Sequence, residues 1–153
     1  AIIVEPLPYR QQKAKELGAD LVLDPNDPEL RAKIMHYTDG RGVDAALETA
    51  GLVQAQRLCI DVTRRRGKIS LIGECSEDLM VKASSDFIRK GIALMGQWHY
   101  NRNAAFKIMK MLADSPVAEK LITHRLPMSH FQEAMEICAA QHCGKIILSP
   151  WAA

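Results

Sequence analysis

Residues 1–23, AIIVEPLPYRQQKAKELGADLVL, contain two short apolar runs with a helical segment between them. The first run, Ala1–Glu5, is too short for a helix and rich in β-branched residues, so it predicts a buried strand that ends in an acid. A helix is predicted over 9–17, because Pro8 favours the first helical turn and Gly18 ends it. The second run, Leu21–Leu23, predicts a second strand.

The same alternation continues through most of the chain. Further strands are predicted at 43–47, 68–72 and 92–95, and further helices at 28–37, 53–64, 84–90 and 103–113. Almost continuously apolar strands that alternate with helices of about ten residues are typical of an α/β fold, in which a parallel sheet is covered on both faces. On the last of these helices, Met109 and Met111 are expected to fill the core.

The pattern changes after Pro116. Residues 121–127 predict an extended segment, Ser129 is expected to cap a helix that runs to Cys138, and residues 145–149 predict a final strand. We expect this tail to be an excursion away from the sheet and not a further βαβ unit.

Composition excludes several classes of protein. The 153 residues carry 20 Lys and Arg against 18 Asp and Glu, and 48% are hydrophobic, as in a soluble globular protein. The net charge is too small to indicate a nucleic-acid partner. The one basic run, Arg64–Arg66, is expected at a helix end, where cations complement the helix dipole. No apolar stretch reaches the roughly 18–20 residues that span a bilayer, so no membrane partner is expected.

The four cysteines form no C-x-x-C pair and show no metal-ligand spacing. We therefore expect free thiols in the cytoplasm and no metal ligand in this chain. The first residues also lack the pattern of a signal peptide.

The predicted strand ends are where a ligand is expected, because α/β sheets bind ligands beyond the carboxyl ends of their strands. These ends are Glu5, Ala50–Gly51, Gly73–Glu74 and Gly96–Gln97. Three of the four contain glycine, which we expect to let a ligand approach the backbone. An acid at the position of Glu5 suits the ribose hydroxyls of a dinucleotide and disfavours a 2′-phosphate, which points to NAD. The alternative is that Glu5 is a solvated strand end and that Arg10 is an ordinary surface charge.

Eight segments follow one another along the chain: residues 10–23, DGRGVD at 39–44, ETAG at 48–51, RGKISLIG at 66–73, GQWHY at 96–100, ITHRLP at 122–127, Phe131 with Ala134, and GKIILSP at 144–150. In this order they resemble the medium-chain dehydrogenase/reductase superfamily, most of all its zinc-dependent alcohol, polyol (sorbitol-like) and threonine dehydrogenases.

The resemblance implies a Rossmann-like fold that binds NAD, and it assigns a role to each matching residue. Glu5 takes the place of the ribose-binding acid, and Arg10 that of the basic residue near the adenosine. The remaining residues would line the cofactor beyond the fourth, fifth and sixth strands: Ala50, Gly51, Ile72, Gly73, Glu74, Gln97, Trp98 and His99. Residues 93–97 resemble the edge strand through which family members dimerise, so a homo-oligomer is expected.

The resemblance also implies a division of the chain. Residues 1–116 match a partial dinucleotide-binding domain, and residues 117–153 match the segment that returns toward the catalytic domain. The family's first strand, its G-x-G-x-x-G turn and its zinc ligands fall before the matched region, and Gly40–Gly42 does not replace that turn because it leads into a strand. We therefore expect no catalytic residue here, and either a rearranged or an oligomeric sheet, since the absent strand lies between the second and the fourth.

The function so implied is hydride transfer between NAD and an alcohol or polyol, with zinc outside this chain and with the chain inactive by itself. Two alternatives stay open: a zinc-free quinone or enoyl-type reductase of the same superfamily, and a non-catalytic oligomerisation module.

Overall fold

The computed structural model describes residues 1–99 and 101–151, so Tyr100 of the GQWHY segment lies outside the described residues. The chain divides into two compact units: Ala1–Asp27 with the segment that starts at Arg102, and Pro28–Asn101. This grouping rests on contacts within the chain, and the division by function at residue 116 stays a prediction. In the described residues, no helix has both the length and the apolar character needed to cross a membrane.

The N-terminal part of the first unit is a parallel strand pair joined by a helix. Strand β1 spans Ile2–Val4, helix α1 spans Pro8–Glu16 and strand β2 spans Leu21–Leu23. The strands pair in register, Ile2 with Leu21 and Val4 with Leu23. These elements confirm the predicted strand, helix and strand.

The second unit holds a three-stranded parallel sheet. Its elements are α2 (Leu30–Tyr37), β3 (Val43–Glu48), α3 (Val53–Val62), β4 (Thr63–Leu71), a π-helical segment (Ala83–Ile88) and β5 (Ala93–Gly96). The strand order is β3-β4-β5, with every pair parallel. Ile60, Ile69 and Ile92 form the core between the sheet and α3, and burial of such side chains contributes about 1.5–3 kcal/mol each.

The basic run Arg64–Arg66 was expected at the end of a helix, but the structure places it in a strand. Helix α3 ends at Val62, and Arg64–Arg66 belong to β4, where the pairing with β3 jumps from Val43–Thr63 to Ala45–Lys68. The last carbonyls of α3 bind a lysine from elsewhere: Lys90 Nζ donates to the backbone oxygens of Ile60 at 2.7 Å, Asp61 at 3.1 Å and Thr63 at 3.3 Å. A cation at this end complements the helix dipole, so no arginine of the run is needed there.

The C-terminal segment contains a βαβ unit, so the expectation that it would not was wrong. Its elements are α4 (Ala105–Asp114), α5 (Pro116–Lys120), β6 (Ile122–Pro127), α6 (Phe131–Ala139) and β7 (Lys145–Ser149). Strands β6 and β7 pair in parallel, which requires a crossover, and α6 supplies it. Ser129 does not cap α6, because the helix follows His130 and no side chain binds its first amides.

Helix α4 confirms the predicted helix at 103–113, but it has no buried residue. Met109 and Met111 are exposed, and so is Phe106, so the expectation that the two methionines fill the core was wrong.

The strand pairs establish an α/β fold with parallel sheets. Strand β1 corresponds to the family's second strand and β3 to its fourth. In the described residues these two strands belong to different sheets, so they do not pair with each other as a rearranged sheet would require. The oligomeric alternative stays a prediction.

Candidate functional site

The carboxyl ends of β3, β4 and β5 are joined by backbone hydrogen bonds. The carbonyl of Glu48 accepts from the N–H groups of Ile72 at 2.8 Å and Gly73 at 3.1 Å, and Gln97 N–H donates to the carbonyl of Leu71 at 2.8 Å. The structure therefore brings the predicted residues that follow these three strands to one edge of the sheet. We call residues 49–51 the first loop and residues 72–74 the second loop.

The carboxylate of Glu48 organises the first loop. Its Oε1 atom accepts hydrogen bonds from the backbone N–H of Ala50 at 2.8 Å and of Gly51 at 2.9 Å. The residue is 2% exposed, and within the described residues its Oε2 atom is buried without a hydrogen-bond partner. The sequence analysis places Glu48 in the ETAG segment of the resemblance and assigns it no role, although an acid that closes an apolar strand directly before Thr-Ala-Gly was a signal that could have found it.

Gly51 and Gly73 are required by the packing of the two loops against each other. A Cβ atom on Gly73 would lie 2.2 Å from the backbone nitrogen of Gly51, and one on Gly51 would lie 2.3 Å from the carbonyl oxygen of Glu74. Gly51 also has a φ of 69°, which disfavours other residues. The packing of the two loops is therefore sufficient to explain both glycines, and the approach of a ligand to their backbone stays a prediction. At Gly96, by contrast, no described atom lies within 4 Å of an added Cβ.

The other predicted residues of this edge lie at the surface. Ala50, Ile72 and Glu74 are exposed at the loops, and Gln97, Trp98 and His99 are exposed after β5. The rings of Trp98 and His99 meet edge to face with centroids 4.9 Å apart, and His99 has a left-handed φ of 56°. This edge of the sheet therefore offers solvent-accessible groups above a buried carboxylate.

Glu5 and Arg10 lie in the first unit. Glu5 follows β1, its N–H donates to the carbonyl of Leu23 at 3.0 Å, and its Oε1 accepts from the N–H of Leu7 at 3.0 Å. Its carbonyl accepts from Gln11 Nε2 at 2.7 Å, so both its backbone and its carboxylate are held in place. Arg10 Nε donates to the carbonyl of Cys143 at 3.4 Å, which directs this side chain toward the C-terminal segment.

Two pKa shifts describe the environment of α3. Burial, aided by the charge of Glu48, raises the pKa of the Cys59 thiol to about 11, so this cysteine stays protonated and is a poor nucleophile at neutral pH. A hydrogen bond from Arg57, at 2.7 Å, is the main reason that the pKa of Asp86 falls to about 2. The backbone N–H of Lys82 also donates to the Asp86 carboxylate, at 2.9 Å.

The described residues do not fit a zinc site. No three histidine, cysteine, aspartate or glutamate side chains among them lie close enough to hold a metal ion. Zinc usually needs at least three protein ligands, so no chemical step is assigned to zinc in this chain.

Comparison with known proteins gives a consistent result. The family model described as zinc-binding dehydrogenase matches residues 1–114. The L-threonine 3-dehydrogenase of Symbiobacterium thermophilum is 32% identical over 145 residues, which are 93% of this chain and 41% of that protein. The sorbitol dehydrogenase of Halalkalibacterium halodurans is 27% identical over 142 residues, which are 92% of this chain and 41% of that protein.

Solved structures agree with these relatives. A crystal structure of an alcohol dehydrogenase from Thermotoga maritima superimposes with a TM-score of 0.85 at 30% identity, over 96% of this chain and 42% of that one. The structure of 2R,3R-butanediol dehydrogenase from Bacillus subtilis gives a TM-score of 0.84 at 27% identity, over 97% of this chain and 43% of that one. The chain spans about two fifths of the length of the relatives it matches.

Proposed function

The chain belongs to the zinc-binding dehydrogenase family, and from that premise we propose that it is the cofactor-binding part of an NAD-dependent dehydrogenase that acts on an alcohol or polyol. Threonine, sorbitol and butanediol, after which three of the relatives are named, all carry a secondary hydroxyl group. The substrate class proposed for the full-length protein is therefore a small molecule with such a hydroxyl.

The observation that carries the proposal is the carboxylate of Glu5 at the carboxyl end of β1. Glu5 is half-buried, and the N–H of Leu7 donates to one of its carboxylate oxygens at 3.0 Å. The carboxylate is therefore oriented before a cofactor binds, which lowers the entropic cost of binding. A carboxylate accepts hydrogen bonds from the two hydroxyls of a ribose and repels a 2′-phosphate. The proposal is therefore specific for NAD over NADP.

Within the proposed complex, NAD supplies the hydride-accepting nicotinamide when it is bound. Glu5 is proposed to bind the adenosine ribose, and Arg10 to be the basic residue near the adenosine. The first and second loops, with Gln97, Trp98 and His99, hold the nicotinamide half. Neither the zinc nor a catalytic residue is proposed within this chain, and the chain by itself is proposed to be inactive.

Titration of the full-length protein with NADH and NADPH tests the proposal. We expect Glu5→Ala to weaken NADH binding by about tenfold or more, because a hydrogen bond to a charged group contributes about 1.5–3 kcal/mol. The same change should narrow the preference for NADH over NADPH. Glu136→Ala is the charge-matched control, since Glu136 is an exposed acid of α6 whose carboxylate accepts only a long bond from Gln132, at 3.3 Å.

Two outcomes of this titration would overturn the proposal. In the first, the wild-type protein binds neither nucleotide. In the second, Glu5→Ala and Glu136→Ala bind NADH equally well.

A homo-oligomer and a cytoplasmic location belong to the same proposal. The residues of β5, Ala93–Gly96, are exposed, and within the described residues the strand pairs on one side only, with β4. An exposed strand edge favours pairing with a second copy, and light scattering reports such pairing. All four cysteines are free, which is usual in a reducing compartment.

A further inference from the structure

We infer that Glu48 is a positioning residue, whose carboxylate sets the geometry of both loops at the strand ends and thereby the affinity for the nicotinamide half of the cofactor. The inference deepens the proposed function and rests on it. Glu48 itself is buried and does not need to touch the cofactor.

The first step is the direct hold on the first loop. One oxygen of Glu48 accepts two successive backbone N–H groups, from Ala50 and Gly51, at 2.8 and 2.9 Å. Hydrogen bonds to a carboxylate are roughly twice as strong as neutral ones, and two of them on one atom fix the direction of the turn. The chain between Glu48 and Gly51 is therefore closed into a ring by its own side chain.

The second step is the transfer of this geometry to the second loop. The backbone carbonyl of Glu48 accepts from Ile72 and Gly73, so the same residue holds the start of the second loop through its main chain. The absent Cβ of Gly73 leaves room for the nitrogen of Gly51, and that of Gly51 leaves room for the carbonyl of Glu74. Because the loops interlock without space between them, a displacement of the first loop must displace the second.

The third step is the unpaired oxygen. Among the described residues, the Oε2 atom of Glu48 has no hydrogen-bond partner, although the residue is 2% exposed. A buried carboxylate that is only partly paired is costly, and an apolar side chain of similar size would avoid that cost. The stability of the fold therefore does not explain a glutamate at this position. Its role in orienting the two backbone amides at the proposed binding edge does explain it.

Two variants separate the acceptor from the shape of the side chain. Glu48→Gln keeps an oxygen that can accept from both amides, while Glu48→Met has similar length and no such acceptor. Glu48→Asp is a second test in case the methionine variant does not fold, because it keeps the charge but draws the oxygens back by one methylene group.

Amide hydrogen exchange and NADH titration of the full-length protein give the readouts. In Glu48→Met and Glu48→Asp we expect about tenfold faster exchange at Ala50 and Gly51, and also at Ile72 and Gly73, which the side chain does not touch. The amides of β6 and β7 should not change, which separates loop release from general loss of stability. The dissociation constant for NADH should rise about tenfold in the same variants and less than about threefold in Glu48→Gln.

The failure of this inference differs from the failure of the proposed function. If the wild-type protein binds NADH and the methionine and aspartate variants bind it equally tightly, the inference is overturned and the proposed function stands. If the wild-type protein does not bind NADH, the proposed function is overturned, while the exchange rates still test the tie between the loops. If amide exchange at the second loop is unchanged in both Glu48→Met and Glu48→Asp, the inferred coupling between the two loops is overturned.

Discussion

The unit formed by residues 28–101 and the segment that begins at Arg102 contain similar elements but bury them differently. In the first, Ile60 and Ile69 are completely buried between α3 and the sheet. In the second, Phe106 on the most amphipathic helix is 91% exposed. Helices α3 and α4 both carry apolar residues at helical spacing. This spacing identifies the apolar face of a helix, but it does not identify what covers that face.

The largest expected difference between the two regions is in the cost of removing an apolar side chain. Ile69→Ala should lower the free energy of unfolding by about 2–5 kcal/mol, because it leaves a cavity in the core of the 28–101 unit. Phe106→Ala removes a larger side chain from an exposed position and should change the free energy by less than about 0.5 kcal/mol. Urea unfolding followed by circular dichroism measures both.

If Ile69→Ala and Phe106→Ala lower the free energy of unfolding equally, the proposed difference in burial between the two regions is contradicted. Equal losses would mean that Phe106 is covered in solution, by a second copy or by another part of the protein.

A smaller effect is expected from filling the space between the loops. Gly73→Ala places a methyl group 2.2 Å from the backbone nitrogen of Gly51, and backbone cannot move aside as a flexible side chain can. Overpacking of this kind costs about 1–3 kcal/mol, and NADH binding by the full-length protein should weaken in parallel. Gly96→Ala, at the end of β5, is the matched control for stability alone, because no described atom lies within 4 Å of its added Cβ.

If Gly73→Ala and Gly96→Ala have the same stability, and Gly73→Ala binds NADH as tightly as the wild-type protein, the two loops do not interlock. The argument that links Glu48 to the second loop would then lose its support.

The sequence predicts strands well where apolar runs are bounded by glycine, proline or acids. Strands β1, β2 and β7 have such borders and were predicted within one residue. The end of α3 was predicted two residues late, at 64 instead of 62, and the start of β4 five residues late, at 68 instead of 63, because neither Val62 nor Thr63 is a helix breaker. Lys90, which is distant in sequence, donates to the carbonyls of Ile60 and Asp61 near the end of this helix, and no local pattern encodes such a partner.

The candidate site was predictable in location but not in mechanism. The rule that ligands bind at the carboxyl ends of parallel strands predicted a ligand at both loops, and the structure shows that the two loops lie at one edge of the sheet. The space that a Cβ atom of Gly51 or Gly73 would occupy is filled by backbone of the neighbouring loop. The approach of that loop is a tertiary property that the spacing of residues in the sequence does not reveal. The burial of Glu48 is likewise a tertiary property, although its hydrogen bonds to Ala50 and Gly51 are local.

The smallest expected effect concerns the ion pairs of the two regions at low pH. Asp86 accepts from Arg57, and its folded-state pKa of about 2 lies below its ordinary value. The unfolded chain therefore binds this proton first, so the stabilising contribution of Asp86 is present above about pH 4 and is lost as the pH falls toward 2. The advantage of the wild-type protein over Asp86→Asn in urea should narrow as the pH falls from about 4 toward 2. Asp114→Asn is the control from the C-terminal segment: its pair with Lys110 is well exposed, and such pairs contribute little. A wild-type advantage over Asp86→Asn that stays constant across this range would show that the Arg57–Asp86 contact does not fix the π-helical segment to α3.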